Sequence, residues 1–230
     1  MTPFGPEIWL SDGPTVTGAA GFRFPTRMAV IRLPDDGGLW VWSPVALTQD
    51  MRRAVDALGP VRHLVAPNSL HHTFLSQWAH TYPAALVHAA PGLTPQVVGT
   101  AIHATIGDEP NPAWAGAVDQ IVVRGNRITT EVVFFHRASR TVLVTDLVQQ
   151  MPLGWYRGWR AVVARLDLMT AAIPSVPRKF RIATTGKAEA RDSVRRILAW
   201  PADRLVMAHG APLQTGGKEA LRQAFGWLMR

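Results

Sequence analysis

The stretch RHLVAPNSLHH, residues 62–72, decides the fold: a short apolar run ends in proline and is followed by polar side chains and two histidines. The apolar part predicts a buried β-strand over residues 62–66, which Pro67 ends. Apolar side chains at helical spacing predict a helix from about residue 70 to 80. A strand that leads through a polar loop into a helix is typical of layered α/β proteins.

The same alternation extends outward from this stretch in both directions. On the N-terminal side, residues 28–33 and 39–42 predict a hairpin, and a helix is expected after Thr48. The remaining predicted strands cover residues 85–88, 120–124, 128–136, 140–145 and 204–208, and the remaining helices cover 154–172, 188–200 and 218–229. Two sheet-forming halves, each closed by helices, predict a layered α/β sandwich, and we expect a single domain over residues 1–230.

Composition limits the chemistry that this chain can perform. It has 230 residues, 47% of them hydrophobic and 17% charged, with a mean hydropathy of +0.06, so a sizeable core is expected. Because it has no cysteine, disulfides, thiolate metal sites, iron–sulfur clusters and cysteine nucleophiles are excluded. Any metal must therefore bind nitrogen and oxygen ligands. The N-terminus lacks the features of a signal peptide and no run is long enough to span a membrane, so we expect a cytoplasmic protein without a membrane partner.

The chain is strongly basic, with a net charge of +8 and an isoelectric point near 11.1. Such a charge can serve nucleic-acid binding, because cationic side chains neutralise phosphates. Here the basic residues are spread along the chain and are arginines apart from three lysines, which favours a solvated basic surface. Nucleic acid is therefore not the favoured partner, and an anionic substrate or acidic partner stays an alternative. We expect a small-molecule substrate, and the sequence leaves the oligomeric state open.

Three predicted strands end in residues that bind metals. The strand over residues 62–66 leads to His71 and His72, that over 140–145 leads to Asp146, and that over 204–208 leads to His209. Loops at strand ends carry the polar groups that meet ligands in layered α/β folds. Neutral imidazole and carboxylate bind zinc, iron or manganese where no thiolate is present.

The order of these elements resembles the metallo-β-lactamase superfamily, which is a four-layer αββα sandwich with its metal site at the edge between two half-domains. The sequence is most similar to an uncharacterised branch of that superfamily, a domain of unknown function. The resemblance covers about residues 24–229 and rests on a series of short motifs in order. These are Ala66-Pro-Asn68, His71-His72, Glu131-Val-Val-Phe-Phe-His136, Ser139-Arg140-Thr141 and Thr145-Asp146-Leu147.

The superfamily's HxHxDH motif is degenerate in this chain. If His72 takes the last histidine of the motif, His71 stands where the aspartate would be, and Pro67 and Ser69 stand where the first two histidines would be. Neither proline nor serine is a usual metal ligand. The superfamily's middle histidine, which precedes the aspartate strand, has no counterpart.

The resemblance therefore implies one reduced metal site. Its ligands would be His71, His72, Asp146, which matches the carboxylate that joins the metals, and His209, which matches the late histidine. Three imidazoles and a carboxylate suit one divalent ion, zinc or iron, with manganese as a further alternative. Without the HxH pair, a second metal would lack its usual nitrogen donors.

Two further residues and one aromatic run are candidates near this site. Glu131 is a candidate catalytic residue, as a proton acceptor, with a supporting role beside the ligands or an ion pair with Arg140 as the alternative. His136 lies in the same region and is expected to be an exposed residue at a strand end, with a role at the metal site as the alternative. The aromatic run Trp155, Tyr156 and Trp159 either packs in the core or walls a hydrophobic substrate pocket.

The expected function is metal-dependent hydrolysis, in which a single metal activates water and Asp146 holds the metal or orients the water. The substrate would be an ester, lactone, amide or phosphoester. Two alternatives stay open: a non-haem iron oxidoreductase on the same fold, and a non-catalytic binding protein that has lost the ancestral ligands.

Overall fold

Two β-sheets packed against each other form the centre of the computed structural model, which describes residues 1–230. The first sheet has seven strands in chain order, antiparallel from β1 to β4 and parallel from β4 to β7. Its strands are β1 (Thr2–Gly5), β2 (Ile8–Thr17), β3 (Arg23–Arg32), β4 (Leu39–Trp42), β5 (Val61–Ala66), β6 (Leu86–Ala89) and β7 (Ala104–Thr105).

The second sheet has four strands in the order β11-β10-β9-β8. These are β8 (Val118–Val123), β9 (Glu131–His136), β10 (Thr141–Val144) and β11 (Arg204–Met207). Strands β8, β9 and β10 are antiparallel neighbours, whereas β10 and β11 run parallel. The carboxyl ends of β10 and β11 therefore lie side by side at one edge of the sandwich.

Helices cover the outer faces of both sheets. They are α1 (Gln49–Asp56), α2 (Leu75–Thr81), α3 (Pro95–Val98), α4 (Trp159–Leu166), α5 (Arg178–Ala183), α6 (Lys187–Ala199) and α7 (Gly217–Phe225). Helix α2 packs on the first sheet, and α6 and α7 pack on the second. None of these helices combines the length and the apolarity that crossing a bilayer would require.

Strand alternation explains how three apolar cores form. In β4, Trp40 and Trp42 point into the core between the sheets, while Leu39 and Val41 point into the core beneath the helices of the first half. Successive side chains of a strand face opposite sides, so a strand buried on both faces can be apolar at every position. A third core joins the second sheet to α5, α6 and α7. The predicted αββα sandwich is confirmed.

Some predicted elements differ from the observed ones. Strand β2 was not predicted, because Asp12, Gly13 and Pro14 are typical of a turn; they lie instead beside an irregularity in its pairing with β3. The helix predicted over residues 154–172 is confined to α4, since Gly158 and Leu168 adopt left-handed conformations with φ of 58° and 65°. Helix α2 begins at Leu75, and the preceding residues form the loop that carries His71.

Candidate metal centre

Three chain segments meet at the carboxyl edge of the two sheets. The loop after β5 brings His71, the residues after β10 bring Asp146, and the residues after β11 bring His209. These three side chains form a group whose donor atoms all lie within 4.8 Å of one another and could hold a metal ion. The first sheet supplies one of these residues and the second sheet supplies two.

The distances within this cluster are short and nearly equal. His71 Nε2 lies 3.2 Å from Asp146 Oδ2, His209 Nε2 lies 3.3 Å from Asp146 Oδ1, and the two Nε2 atoms are 3.2 Å apart. Ligand atoms at about 2.0–2.1 Å from a tetrahedral zinc ion lie about 3.3 Å from each other. The spacing therefore fits three ligands of one cation.

The second nitrogen of each imidazole has its own partner. His209 Nδ1 lies 2.8 Å from the carbonyl oxygen of Pro25, which can only accept a hydrogen bond, so Nδ1 is the donor there and Nε2 is the nitrogen that faces the cluster. His71 Nδ1 lies 2.9 Å from Ser43 Oγ. Such partners fix the ring orientation of histidines that bind metals.

Burial and the neighbouring imidazoles act in opposite directions on Asp146, which is only 5% exposed. Burial raises the pKa of this carboxyl, but His71 and His209 outweigh that effect and hold the pKa well below its ordinary value. Asn68 also donates from Nδ2 to Asp146 Oδ2 at 2.8 Å. The carboxylate is therefore ionised and oriented, as a metal ligand must be.

Glu131, the candidate proton acceptor, does not face the cavity. Its carboxylate is fully buried and accepts hydrogen bonds from the backbone N–H groups of Thr145, Asp146 and Leu147 at 2.8, 2.8 and 3.1 Å. Asn68 Nδ2 is a further donor at 3.2 Å. Burial and the charge of Asp146 raise the pKa of Glu131. Its geometry is that of a residue that anchors the Asp146 loop.

Two other histidines lie outside the cluster. His72 is not part of the group formed by His71, Asp146 and His209, although it neighbours His71 in the chain. His136 is buried at the opposite end of the second sheet, with Nδ1 2.7 Å from Ser139 Oγ. Of the four residues expected as ligands from the sequence, three therefore lie together and His72 does not join them.

Asn68 is a site residue that the sequence interpretation missed. Besides its bond to Asp146, its Oδ1 accepts from the backbone N–H groups of Leu70 and His71 at 2.8 and 3.0 Å. It thus joins the loop that carries His71 to the carboxylate of Asp146. Asparagine directly after a buried strand and proline is typical of such turns and was the available indication.

A cavity of about 540 Å³ opens above the three residues and is lined mainly by apolar side chains. Phe22, Phe24, Phe74, Val163 and Met169 contribute to its wall. The ring of Phe24 lies 5.3 Å from that of His209, so the apolar wall reaches the cluster itself. A molecule bound here would place an apolar portion against the aromatic rings and a polar group at the cluster.

The cavity also holds one ion pair, and the predicted aromatic wall lies elsewhere. Lys179 Nζ is 3.4 Å from Asp167 Oδ2, so its charge is compensated locally. The run that begins at Trp155 does not line the cavity; Tyr156 and Trp159 instead pack behind Phe22, at 5.2 and 5.7 Å between ring centroids. They support the wall rather than form it.

Comparisons with known proteins agree with the architecture. Residues 7–156 match the family described as Domain of unknown function (DUF4336). No curated protein sequence matches significantly. Among solved structures, a metallo-β-lactamase from Hirschia baltica superposes with a TM-score of 0.62 at 12% identity, covering 100% of this chain and 96% of that one.

Two further structures have the same fold. The metallo-β-lactamase FIM-1 from Pseudomonas aeruginosa, in its mono-zinc form, gives a TM-score of 0.64 at 11% identity over 99% of this chain and 93% of that one. The Flv1 flavodiiron core from Synechocystis gives 0.66 at 12% identity over 98% of this chain and 60% of that one. With this fold and a family match over most of its length, the chain belongs to the DUF4336 family and has the metallo-β-lactamase fold.

Proposed function

We propose that this protein is a metal-dependent hydrolase that binds one divalent cation through His71, Asp146 and His209. The observation that carries the proposal is the convergence of two imidazole Nε2 atoms and one ionised carboxylate, with each imidazole held by a partner on its other nitrogen. When bound, such a cation lowers the pKa of a coordinated water towards about 7 and polarises a carbonyl or phosphoryl oxygen.

The residues of this chain have distinct tasks in that scheme. His71 and His209 hold the cation through Nε2, while Ser43 and Pro25 keep the rings in place. Asp146 would supply the anionic ligand, and Asn68 Nδ2, which donates to Oδ2 at 2.8 Å, keeps that carboxylate in place. Glu131 is enclosed by four N–H donors, so it positions Asp146 and does not take part in proton transfer.

The cavity favours a substrate with an apolar portion. Its wall is aromatic and aliphatic, and Lys179 is paired with Asp167, so no uncompensated charge there selects a strongly anionic molecule. An ester or lactone with an apolar acyl chain fits this chemistry better than a highly charged phosphoester. An acyl chain bound against the apolar walls would also exclude bulk water from the carbonyl that reacts.

A second candidate function is iron-dependent oxidoreduction. Two histidines and one carboxylate that leave positions open are the ligand set of many non-haem iron enzymes. The fold likeness to a flavodiiron core is compatible with that chemistry. The metal that the protein acquires and the reaction that this metal supports distinguish the two candidates.

Metal content measured by plasma mass spectrometry tests the site. We expect about one metal per chain in the unmodified protein and almost none in Asp146→Asn, since the substitution removes the anionic ligand. His72→Gln is the matched control because His72 neighbours a ligand without joining the cluster, and it should retain the metal. A metal-free unmodified protein after zinc or iron loading would contradict the proposal.

Activity then assigns the chemistry. Zinc-loaded and iron-loaded protein should be compared on nitrophenyl esters of increasing acyl length and on oxygen consumption with a reductant present. Hydrolysis that depends on zinc and is lost in Asp146→Asn supports the hydrolase. Oxygen consumption by the iron form without ester hydrolysis would support the second candidate instead.

A further inference from the structure

Helix α4 exposes an apolar face to solvent. Trp159, Val162 and Leu166 are 54%, 60% and 59% exposed, and Val163 between them is 40% exposed. These positions follow the i, i+3, i+4, i+7 spacing of one helical face, which in a surface helix normally packs on the core. Here the small residue Ala164 is buried instead. Apart from the edge contact of Trp159 with Phe22 and the position of Val163 at the cavity, the apolar face of α4 is therefore open to solvent.

The apolar surface continues from α4 around the mouth of the cavity. Val163, Leu70 and Ile128 line the cavity and are 40%, 50% and 43% exposed. Ile182 is 80% exposed, and its segment pairs with that of Ile128, since the backbone N–H of Arg127 donates to the carbonyl of Ala183. Contiguous exposed apolar surface of this kind marks an interaction site. We call it the mouth face.

The chain segment that contains α4 is rich in basic side chains. Residues 151–185 include six basic side chains and one acidic one, Asp167, which is paired with Lys179. Most of the net charge of +8 therefore originates from this stretch. Arg157, Arg165 and Arg178 are exposed, and the guanidinium of Arg160 lies 4.6 Å from the ring of Trp159. Helix α4 and the residues that flank it in the chain thus combine exposed apolar side chains, a tryptophan and arginines.

We propose that the mouth face docks onto an anionic lipid surface, with α4 lying in the plane of the interface. Valine, leucine and tryptophan side chains would enter the boundary between headgroups and acyl chains, and the arginines would meet the anionic headgroups. A second copy of this chain fits the mouth face less well than a lipid surface does, because a two-fold contact through α4 would bring the same arginines against each other.

Docking would open the cavity towards the bilayer. Val163, Leu70 and Ile128 belong both to the mouth face and to the cavity wall, so an apolar molecule could pass from the membrane into the cavity along a continuous apolar surface. The sequence led us to expect no membrane partner because it has no spanning segment. A helix that lies on the surface needs none, and the docking does not depend on a bound metal.

Vesicle cosedimentation of the full chain tests the proposal. We expect binding to vesicles of phosphatidylcholine mixed with phosphatidylglycerol, and weaker binding as salt is raised. Val162→Glu combined with Leu166→Glu should weaken it by about tenfold or more, because charge replaces the apolar side chains that enter the interface. Val97→Glu is the matched control, since Val97 is 56% exposed on α3, and it should bind like the unmodified protein.

Three results would overturn the proposal. They are no binding to the mixed vesicles, equal binding by the double variant when circular dichroism shows both proteins folded, and equal binding to vesicles of phosphatidylcholine alone. Size-exclusion chromatography with light scattering tests the alternative, which is that a second copy of this chain binds the mouth face. A dimer in the unmodified protein that the double variant dissociates, without vesicle binding, would assign the mouth face to a second copy.

Discussion

The molecule contains two pairs of histidines at almost the same separation. His71 and His209 have their Nε2 atoms 3.2 Å apart, and His63 Nδ1 lies 3.1 Å from His88 Nε2. The first pair joins the two sheets at the carboxyl edge. The second pair lies on the neighbouring parallel strands β5 and β6. Distance between imidazoles alone does not distinguish them.

The surroundings of the two pairs differ. The first faces the Asp146 carboxylate and a cavity, whereas the second packs against Trp114, with ring centroids at 5.2 Å from His63 and 4.7 Å from His88. Burial lowers the pKa of His88 to about 4, and that of His63 falls for the same main reason. The first pair is a candidate site because a buried carboxylate and an open cavity adjoin it. The second pair is kept neutral because it is buried against an aromatic ring.

The largest expected effect comes from removing a histidine of the first pair, and the same substitution in the second pair serves as the comparison. His209→Gln should reduce the affinity for zinc by about a hundredfold or more, because it removes one of the three proposed ligands. Losing a residue that only hydrogen-bonds to a ligand already costs about 10–100-fold in affinity. His88→Gln is the matched substitution in the other pair and should leave zinc affinity unchanged. Titration with a competing chelator measures both. Equal losses in the two variants would show that the pairs are not distinct.

Glu131→Gln should lower the free energy of unfolding by about 3 kcal/mol. Its carboxylate accepts three backbone hydrogen bonds, and an amide would turn one acceptor into a donor that faces buried N–H groups. Urea unfolding of the metal-free protein measures the change, with the exposed Glu109→Gln as the control. If Glu131→Gln loses no more unfolding free energy than Glu109→Gln within experimental error, Glu131 does not anchor the loop.

Acid should destabilise the fold through its buried histidines. Burial lowers the pKa of both His88 and His136 to about 4, below the ordinary value of 6.5, so the unfolded chain binds protons first. Stability is therefore complete above about pH 6.5 and falls as the pH drops towards 4, by about 1.4 kcal/mol per pH unit for each histidine.

Replacing His88 tests this assignment. Urea unfolding at about pH 7 and about pH 5 should show a smaller loss in His88→Gln than in the unmodified protein, because one buried titrating group is gone. His80→Gln, at an exposed position, is the control and should retain the full loss. If His88→Gln loses as much unfolding free energy between about pH 7 and about pH 5 as the unmodified protein, the acid sensitivity arises from other groups.

The smallest effect is expected at Ser43, which holds His71 Nδ1 and adopts a left-handed conformation with φ of 51°. Ser43→Gly should weaken zinc binding by about tenfold by releasing the ring. The same substitution should leave stability unchanged or raise it, because glycine tolerates that conformation. Ser43→Ala separates the two effects: it also loses the hydrogen bond but retains the strain. Unchanged zinc affinity in both variants would argue against orientation by Ser43.

The order of elements and the strand ends could be predicted from sequence because they depend on local patterns. The apolar run over residues 62–66 and those before Asp146 and His209 lie where β5, β10 and β11 are found. Parallel pairing then brings the ends of β10 and β11 together. Convergence of His71 with these residues needs the packing of one sheet on the other, which no local pattern specifies.

Side-chain direction within a loop could not be predicted. His71 and His72 are identical and adjacent, yet only His71 joins the cluster, because Asn68 Oδ1 binds the backbone N–H groups of residues 70 and 71 and sets the path of the loop. Glu131 was equally ambiguous, since a glutamate at a strand start can face a cavity or be enclosed. Its burial depends on the loop after β10 folding over it.

The position of β11 bears on how this family is delimited. The matched region stops at residue 156, yet the strand that flanks β10 and carries His209 comes nearly fifty residues later in the chain. An excised segment of residues 7–156 would expose an unpaired, apolar sheet edge and could supply only His71 and Asp146. A fragment that ends at the family boundary would therefore be prone to aggregation, whether it is made as a truncation or as a fusion. A boundary beyond α7 preserves every partner of the second sheet.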